Sequence, residues 1–313
     1  MQRIQLADLT SRLPAGVLTL GNFDGVHRGH QLLVQEALRC GRDSGLDVTV
    51  ATFDPHPTSI LAPERAPQAL TTLAQKGEVL EALGVSRMVV IEFTRELAAL
   101  TPEEFADAIL VRRLGAGVVV AGAGFRFGRG RAGDIAMLSS LGAGLGFRVS
   151  EVAPLVDGGR PVSSTRVRQA LAAGDVEVTR ALLGRPFATD GVVVTGDGRG
   201  RTLGIPTANV VRENEAVPAD GVYAGWCRLR RGAHTWGPVW PSVVSLGRRP
   251  TFGGVEHRVE AHLMGFSGDA YGAFMRIEYW KRLRAEQRFT DAQALLAQVA
   301  VDMREARVAL GVE

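Results

Sequence analysis

The hydrophobic period of this chain changes just past its middle, and that change limits the folds open to it. Up to about residue 185, continuous apolar runs alternate with amphipathic ones. The runs at 17–20, 47–53, 87–93, 118–121 and 147–152 read as buried strands, and those at 31–38, 72–83, 101–114 and 134–141 as helices. Thr101-Pro102-Glu103-Glu104 is a helix start, with an N-cap hydroxyl, proline at the first position and acids in the first turn. Strands of continuous apolar residues alternating with helices predict a doubly wound parallel sheet covered on both faces. Two short helices, 165–172 and 176–183, follow, with Gly174-Asp175 as stop and cap, and Gly184-Arg185-Pro186 reads as a linker. Beyond it, runs at 192–195, 222–229, 239–246, 258–264 and 274–280 are divided by glycine turns with no helical period between them. This pattern predicts an antiparallel sheet or small barrel. A last helix begins at a capping box of Thr290 and Gln293 and carries an apolar face of Leu296, Val299, Met303 and Leu310. The expected class is α/β with a second, β-rich module, and the expected domains are 1–185 and 186–313.

A chain of 313 residues, 46% hydrophobic and 22% charged, can bury a real core in each half. Its two cysteines, Cys40 and Cys227, make neither a metal spacing nor a disulfide framework, so a cytoplasmic location is expected. No N-terminal signal pattern stands at Met1, and no apolar run approaches the ~18 residues of a membrane span. The net charge is +3, and Lys76 and Lys281 are the only lysines. The arginines are scattered among acids, except in the Arg-Gly stretches 126–131 and 199–201. Nucleic-acid binders carry a basic stripe. Short arginine-glycine loops suit a phosphorylated small molecule better. The expected partners are therefore small molecules, with no nucleic acid and no membrane; oligomeric state is left open.

The densest motif is Gly21-Asn22-Phe23-Asp24-Gly25-Val26-His27-Arg28-Gly29-His30, between the first apolar strand and the first helix. Helix N-termini favour phosphate through their free N–H groups and dipole. Gly21 and Gly25 permit the turn, and Gly29 leaves room for a phosphate to approach. His27 and His30 have a spacing that could serve zinc. Zinc needs three or four ligands, and no cysteine cluster or HExxH pattern supplies them, so a phosphate cradle is the stronger reading. Phe53-Asp54-Pro55-His56-Pro57 ends the second long strand, and Ser163-Ser164-Thr165 before a helix offers a second anion site with Arg168 one turn in. Gly122-Ala123-Gly124 resembles a dinucleotide fingerprint, but Gly128 is displaced by one position and the following acid is missing.

Together these segments are specific. GNFDGVHRGH resembles the HxGH signature of nucleotidylyltransferases in the form used by prokaryotic bifunctional riboflavin kinase/FAD synthetases. FDPHP, Leu70-Thr71-Thr72, the FRFG that holds Phe125 and Phe127, and VSSTRVR stand in that family's order. The second half resembles its kinase module through Gly200-Arg201-Thr202-Leu203-Gly204-Ile205-Pro206-Thr207-Ala208-Asn209, Arg249-Pro250-Thr251-Phe252, Val259-Glu260-Ala261-His262, Tyr271-Gly272 and Leu283-Arg284-Ala285-Glu286. The resemblance covers nearly the whole chain. It implies a doubly wound nucleotidylyltransferase domain, which adenylylates FMN to FAD, and a small β-barrel kinase domain with a terminal helix, which makes FMN from riboflavin. ATP is the co-substrate of both.

The residue types suit that chemistry. An FMN phosphate is already an anion, so adenylyl transfer needs positioning and charge stabilisation rather than a base. His27, His30, Ser163, Ser164, Thr165 and Arg168 supply donors and cations, with Gly21, Asn22, Phe23, Asp24, Gly29, His56, Phe125 and Phe127 as the rest of the pocket. A riboflavin hydroxyl has a high pKa and is helped by a positioned base, and the resemblance points to Glu260. Thr207 and Asn209, at spacing two, share a face if extended, and form a partial shell for Mg2+. Gly196, Gly200, Arg201, Gly204, Pro206 and Arg284 complete the kinase site, and the absence of Gly-Lys-Ser/Thr rules out a Walker loop. Gly124, Ser245 and Gly265 depart from the family pattern, Gly124 at a polar position of the adenylyltransferase pocket. Competing readings are a kinase beside a degenerate adenylyltransferase, a flavin- or nucleotide-binding sensor, and a dinucleotide oxidoreductase.

Overall fold

The computed structural model describes residues 1–196, 200, 204–232, 235–251 and 254–313, with the side chains of 248–251 and 254–257 left aside. By contact density the chain divides into two compact units, Met1–Ser164 and Thr165–Glu313.

The first unit is the expected parallel sheet. Its strands are β1 (Gln2–Gln5), β2 (Gly16–Leu20), β3 (Val48–Asp54), β4 (Arg87–Glu92), β5 (Ala116–Gly122) and β6 (Arg148–Val152), in the order β1-β4-β3-β2-β5-β6. Every neighbouring pair is parallel. The short edge strand β1 was not legible in the sequence, since it is mostly exposed and lacks an apolar run. β2 is buried along its whole length. The strand order reverses beside β2, so the loop leaving its C-terminal end lies at the switch point where such sheets bind ligands.

The first-unit helices are α1 (Arg28–Ser44), α2 (Pro57–Leu61), α3 (Leu73–Ala82), α4 (Arg95–Ala99), α5 (Pro102–Phe105) and α6 (Ile135–Leu145). Thr72 and Gln75 close a full capping box on α3, and Thr101 with Glu104 another on α5. The predicted 101–114 helix changes winding, because Ala106–Val111 continues α5 as a π-helix. A two-strand hairpin, β7 (Val156–Asp157) and β8 (Arg160–Pro161), precedes the division between units.

The second unit begins with α7 (Ser164–Ala172, entering at Thr165) and α8 (Val176–Leu183). α7 is tied to the segment just before Gly221, where Ala219 N–H donates to Leu171 O, and α8 to a later strand residue, with the Arg180 guanidinium 4.0 Å over the Trp280 ring. The strands β9 (Phe187–Val194), β10 (Ala208–Arg212), β11 (Gly221–Arg230), β12 (Val239–Thr251), β13 (Gly254–Leu263) and β14 (Phe274–Arg284) form a closed barrel. All its pairings are antiparallel. The register of β11 on β14 shifts between Ala224 and Gly225, and a Cβ on Gly225 would stand 2.5 Å from Glu278 O, so glycine permits the bulge that helps the sheet close. The barrel interior holds the fully buried rings of Tyr223, Tyr279 and Phe187. The terminal helix α9 spans Ala292–Leu310. Its cap is Asp291, whose carboxylate accepts the Ala294 N–H at 2.8 Å, rather than the predicted Thr290. Thr290 instead donates its hydroxyl to Asp291, which orients that cap.

Candidate active sites

The loop after β2 is made of costly backbone conformations. Phe23 and Val26 take left-handed φ values of 46° and 38°, and Gly25 takes 79°. Such strain persists where neighbouring contacts over-determine it. The buried Asp24 carboxylate accepts the N–H groups of Leu70 (2.9 Å) and Thr71 (3.3 Å) through Oδ1. Gly25 N–H donates to Thr71 Oγ1 at 3.2 Å, and Ser164 Oγ donates to Asp24 O at 2.9 Å. The Phe23 ring is fully buried. Asp24, Phe23 and Ser164 therefore shape the loop, and the Leu70-Thr71 stretch is its buttress.

The loop delivers two histidines to the start of α1. His27 is the N-cap, and its Nδ1 accepts the His30 N–H at 3.3 Å, which leaves the proton on Nε2. The two imidazoles stack with centroids 3.7 Å apart and planes 15° apart. Burial first, then His27 and Lys76, hold the His30 pKa well below its ordinary value, so His30 is neutral near pH 7. His30 Nδ1 is buried and makes no hydrogen bond among the described residues. The space beside Gly29 is used by the protein: a Cβ there would meet the His27 ring at 3.2 Å and Val162 O at 3.3 Å. Gly29 thus admits the stacked imidazole.

His56 stands at the end of β3 as the cap of α2, with Nδ1 accepting the Thr58 N–H at 3.2 Å. Its Nε2 lies 3.0 Å from the Asn22 side-chain amide. The atom of Asn22 that faces His56 Nε2 is Nδ2, so ring and side-chain amide hold each other in place. β2 and β3 are neighbours, which brings these two sequence-distant motifs together. Phe125 stacks on Phe127 at 5.6 Å, but Phe127 itself is buried in the core against Phe105. Gly124 faces open space. Ser163 ends the first unit with Ser164, while Thr165, exposed, and Arg168 lie on α7 of the second.

In the barrel, Asn209 of β10 pairs with Glu260 of β13. Val210, Val259 and Ala261 point into the core, so Asn209, Arg258, Glu260 and His262 share the outer face. Arg258 Nη1 donates to Glu260 Oε1 at 3.1 Å. Glu260, Thr207, Ser245, His262 and Arg284 line a cavity of about 340 Å3 closed by α9 residues such as Leu295 and Val299. Asn209, Gly196, Thr195, Arg212 and Arg258 line a second, of about 590 Å3. A Cβ on Gly196 would stand 2.1 Å from Asn209 Nδ2, and one on Gly200 would stand 2.4 Å from Ile205 O. Gly204 takes a left-handed φ of 76°, and Pro206 O contacts His262 Nδ1 at 2.8 Å. Arg284 makes a bidentate ion pair with the buried Asp302 of α9, at 2.8 and 2.7 Å. Arg201 lies outside the described residues, as do 197–199, 202 and 203.

Sequence reasoning missed Lys76, Arg258 and Asp302. Lys76 falls on one face of α3 with Leu73, Gly77 and Leu80, and Asp302 beside Val299 and Ala306 on α9. A charge on an apolar stripe was the available signal. Among the described residues, no group of three His, Cys, Asp or Glu side chains could hold a metal ion, and no helix is long and apolar enough to cross a membrane.

Comparison with known proteins matches the same division. The FAD synthetase family model matches residues 10–166, and the riboflavin kinase family model matches residues 183–310. The bifunctional riboflavin kinase/FMN adenylyltransferase of Escherichia coli K12 is 41% identical over 94% of this chain and 93% of its own length. That of Bacillus subtilis is 37% identical over 93% and 91%. A crystal structure described as a macrolide-efflux protein from Streptococcus pneumoniae superposes with a TM-score of 0.88 at 31% identity, covering 98% of this chain and 99% of that one. With both modules matched and relatives similar over nearly the full length, the chain belongs to the family of bifunctional riboflavin kinase/FMN adenylyltransferases.

Proposed function

We propose that the chain makes FMN in its barrel and converts it to FAD at the loop after β2, with the side chains above in defined roles. The two activities, riboflavin kinase and FMN adenylyltransferase, are those of the family. The observation that carries the assignment of roles is that His27 and His30 start a helix at the switch point of one unit, while Glu260, Thr207 and Arg284 line a cavity of the other.

In the kinase step the riboflavin hydroxyl attacks the γ-phosphorus of ATP and ADP leaves. Glu260 takes the hydroxyl proton. Its support is its place on the wall of the 340 Å3 cavity, a size suited to a small ligand. The nucleotide occupies the larger cavity, with its phosphates towards Thr207 and Asn209. These two residues are the ones that would hold Mg2+, which neutralises phosphate charge when bound. They fit that ion because both carry side-chain oxygens, stand two apart, and lie against glycines with no Cβ to crowd them. Arg284, locked by Asp302, forms the far wall.

In the adenylyl step an FMN phosphate oxygen attacks the α-phosphorus of a second ATP and pyrophosphate leaves. No general base is required. The Nε2–H of His27, the imidazole of His30 and the Asn22 amide act as donors to the phosphates. The functional boundary between modules is near residue 185, and Cys40 and Cys227, both free, fit a reducing cytoplasm.

One incubation of the protein with riboflavin, ATP and Mg2+, with flavins separated over time, tests this reading. FMN followed by FAD is expected. FMN alone removes the adenylyltransferase assignment, and no product removes both.

A further inference from the structure

Lys76 is a buried ammonium, 5% exposed, in the middle of the first unit. Its Nζ donates to Asn22 O at 2.8 Å and to Thr52 Oγ1 at 2.9 Å. Thr52 Oγ1 in turn donates to Asn22 O at 3.0 Å. One backbone carbonyl of the β2 loop therefore receives two donors, one of them charged, and both acceptors of the ammonium are neutral. Burying a lysine this way is costly. A fold that needed only packing would be better served by leucine or methionine on this stripe of α3.

The receiving carbonyl lies immediately before Phe23, where the chain enters its left-handed stretch. It belongs to Asn22, whose side chain is aligned by His56. Clamping this carbonyl fixes the peptide plane from which Phe23, Asp24 and Gly25 depart, and with them the placement of His27 and His30. We propose that Lys76 is a positioning residue for adenylyl transfer, whose ammonium pins the Asn22 carbonyl and sets the phosphate loop from behind. This rests on the first unit being the adenylyltransferase.

The charge on Lys76 is itself poised. Burial lowers its pKa from 10.5 to about 8, while Asp24 in the loop and Asp54 at the end of β3 act to raise it and Arg3 of β1 acts to lower it. His30 on α1 feels the same ammonium. Loss of its proton removes the charged donor from Asn22 O, so FAD formation should decline as pH rises through about 8.

The test is the pH profile of FMN adenylylation between pH 6.5 and 9.5, with riboflavin phosphorylation by the same chain as the control. Lys76→Met should lower kcat/KM for FMN adenylylation tenfold or more at pH 7, with a profile flat across the alkaline range. Thr52→Val keeps the ammonium but removes one acceptor, so its alkaline limb should move to lower pH. A Lys76→Met protein within twofold of wild type at pH 7, or one that keeps the wild-type alkaline limb, overturns the proposal. If Lys76→Met fails to fold, Thr52→Val decides: a limb shifted down supports the proposal and an unmoved limb overturns it. A wild-type protein that forms no FAD at any pH refutes the adenylyltransferase reading and this proposal with it; normal FAD formation with unaffected variants refutes the proposal alone.

Discussion

Asp302→Ala should loosen the terminal helix and the wall of the kinase cavity together. The Asp302 side chain is 2% exposed and its partner Arg284 is 19% exposed. The substitution removes two charge-assisted bonds to Arg284 and the 3.0 Å bond from Gln298, and leaves a half-buried guanidinium with no carboxylate. Breaking a fully buried pair costs about 3–5 kcal/mol. Arg284 keeps some access to water, so the lower end, about 3 kcal/mol, applies here. A domain the size of the Thr165–Glu313 unit has an unfolding entropy of roughly 0.3 kcal/mol/K, which turns that loss into a Tm drop of roughly 10 °C. Calorimetry with separate transitions for the two units reads the drop in the barrel. Riboflavin KM should rise, because Arg284 lines the cavity, while conversion of supplied FMN to FAD should persist. A barrel Tm within about 2 °C of wild type together with an unchanged riboflavin KM would refute the reasoning. The double variant Arg284→Met/Asp302→Leu, which removes both charges, should recover most of the lost stability.

Glu260→Gln should cut FMN formation by about 10²–10⁴-fold, the usual worth of a positioned base, and leave FMN-to-FAD conversion intact; His30→Ala should do the reverse, as separated flavin products would show. Arg258→Ala frees Glu260 from its 3.1 Å ion pair and opens the wall of the larger cavity, so ATP KM for the kinase step should rise more than kcat falls in steady-state assays. Asp24→Ala leaves the Leu70 and Thr71 amides without their acceptor, at a cost of about 2–3 kcal/mol, seen as a lower Tm of the first unit and slower FAD formation. His30 has a folded-state pKa depressed below 6.5, so its contribution to stability is complete above that value and is lost as pH falls below it. Urea melts of the first unit should lose up to about 1.4 kcal/mol per pH unit there from this group, a slope that His30→Gln removes.

The alternation of apolar strands and amphipathic helices determined the parallel sheet, because strands covered on both faces must be apolar throughout. The glycine-divided runs after residue 185 determined an antiparallel β module, and the spacing of GNFDGVHRGH put both histidines at a helix start. Those signals are local and survive in the one-dimensional pattern. Other features depended on contacts between distant segments. The sequence could nominate Asn22 and His56, but only the adjacency of β2 and β3 put one against the other. The motif marks Asp24 as a phosphate-loop group, while the fold alone brings the Leu70 and Thr71 amides onto its Oδ1. Phe127, a pocket residue by its motif, is buried in the core. The strand at Ala208–Arg212 is hidden because it is short and its apolar residues alternate with the polar Asn209, so it resembles a motif rather than an element. The π-helix at Ala106–Val111 has the same residue types as an ordinary helix, and nothing in that composition marks the change of winding. Lys76 and Asp302 show the limit most clearly. A charge on an apolar stripe says that something unusual is buried there, but its partners lie 54 and 18 residues away in the chain, and only the folded chain brings them into contact.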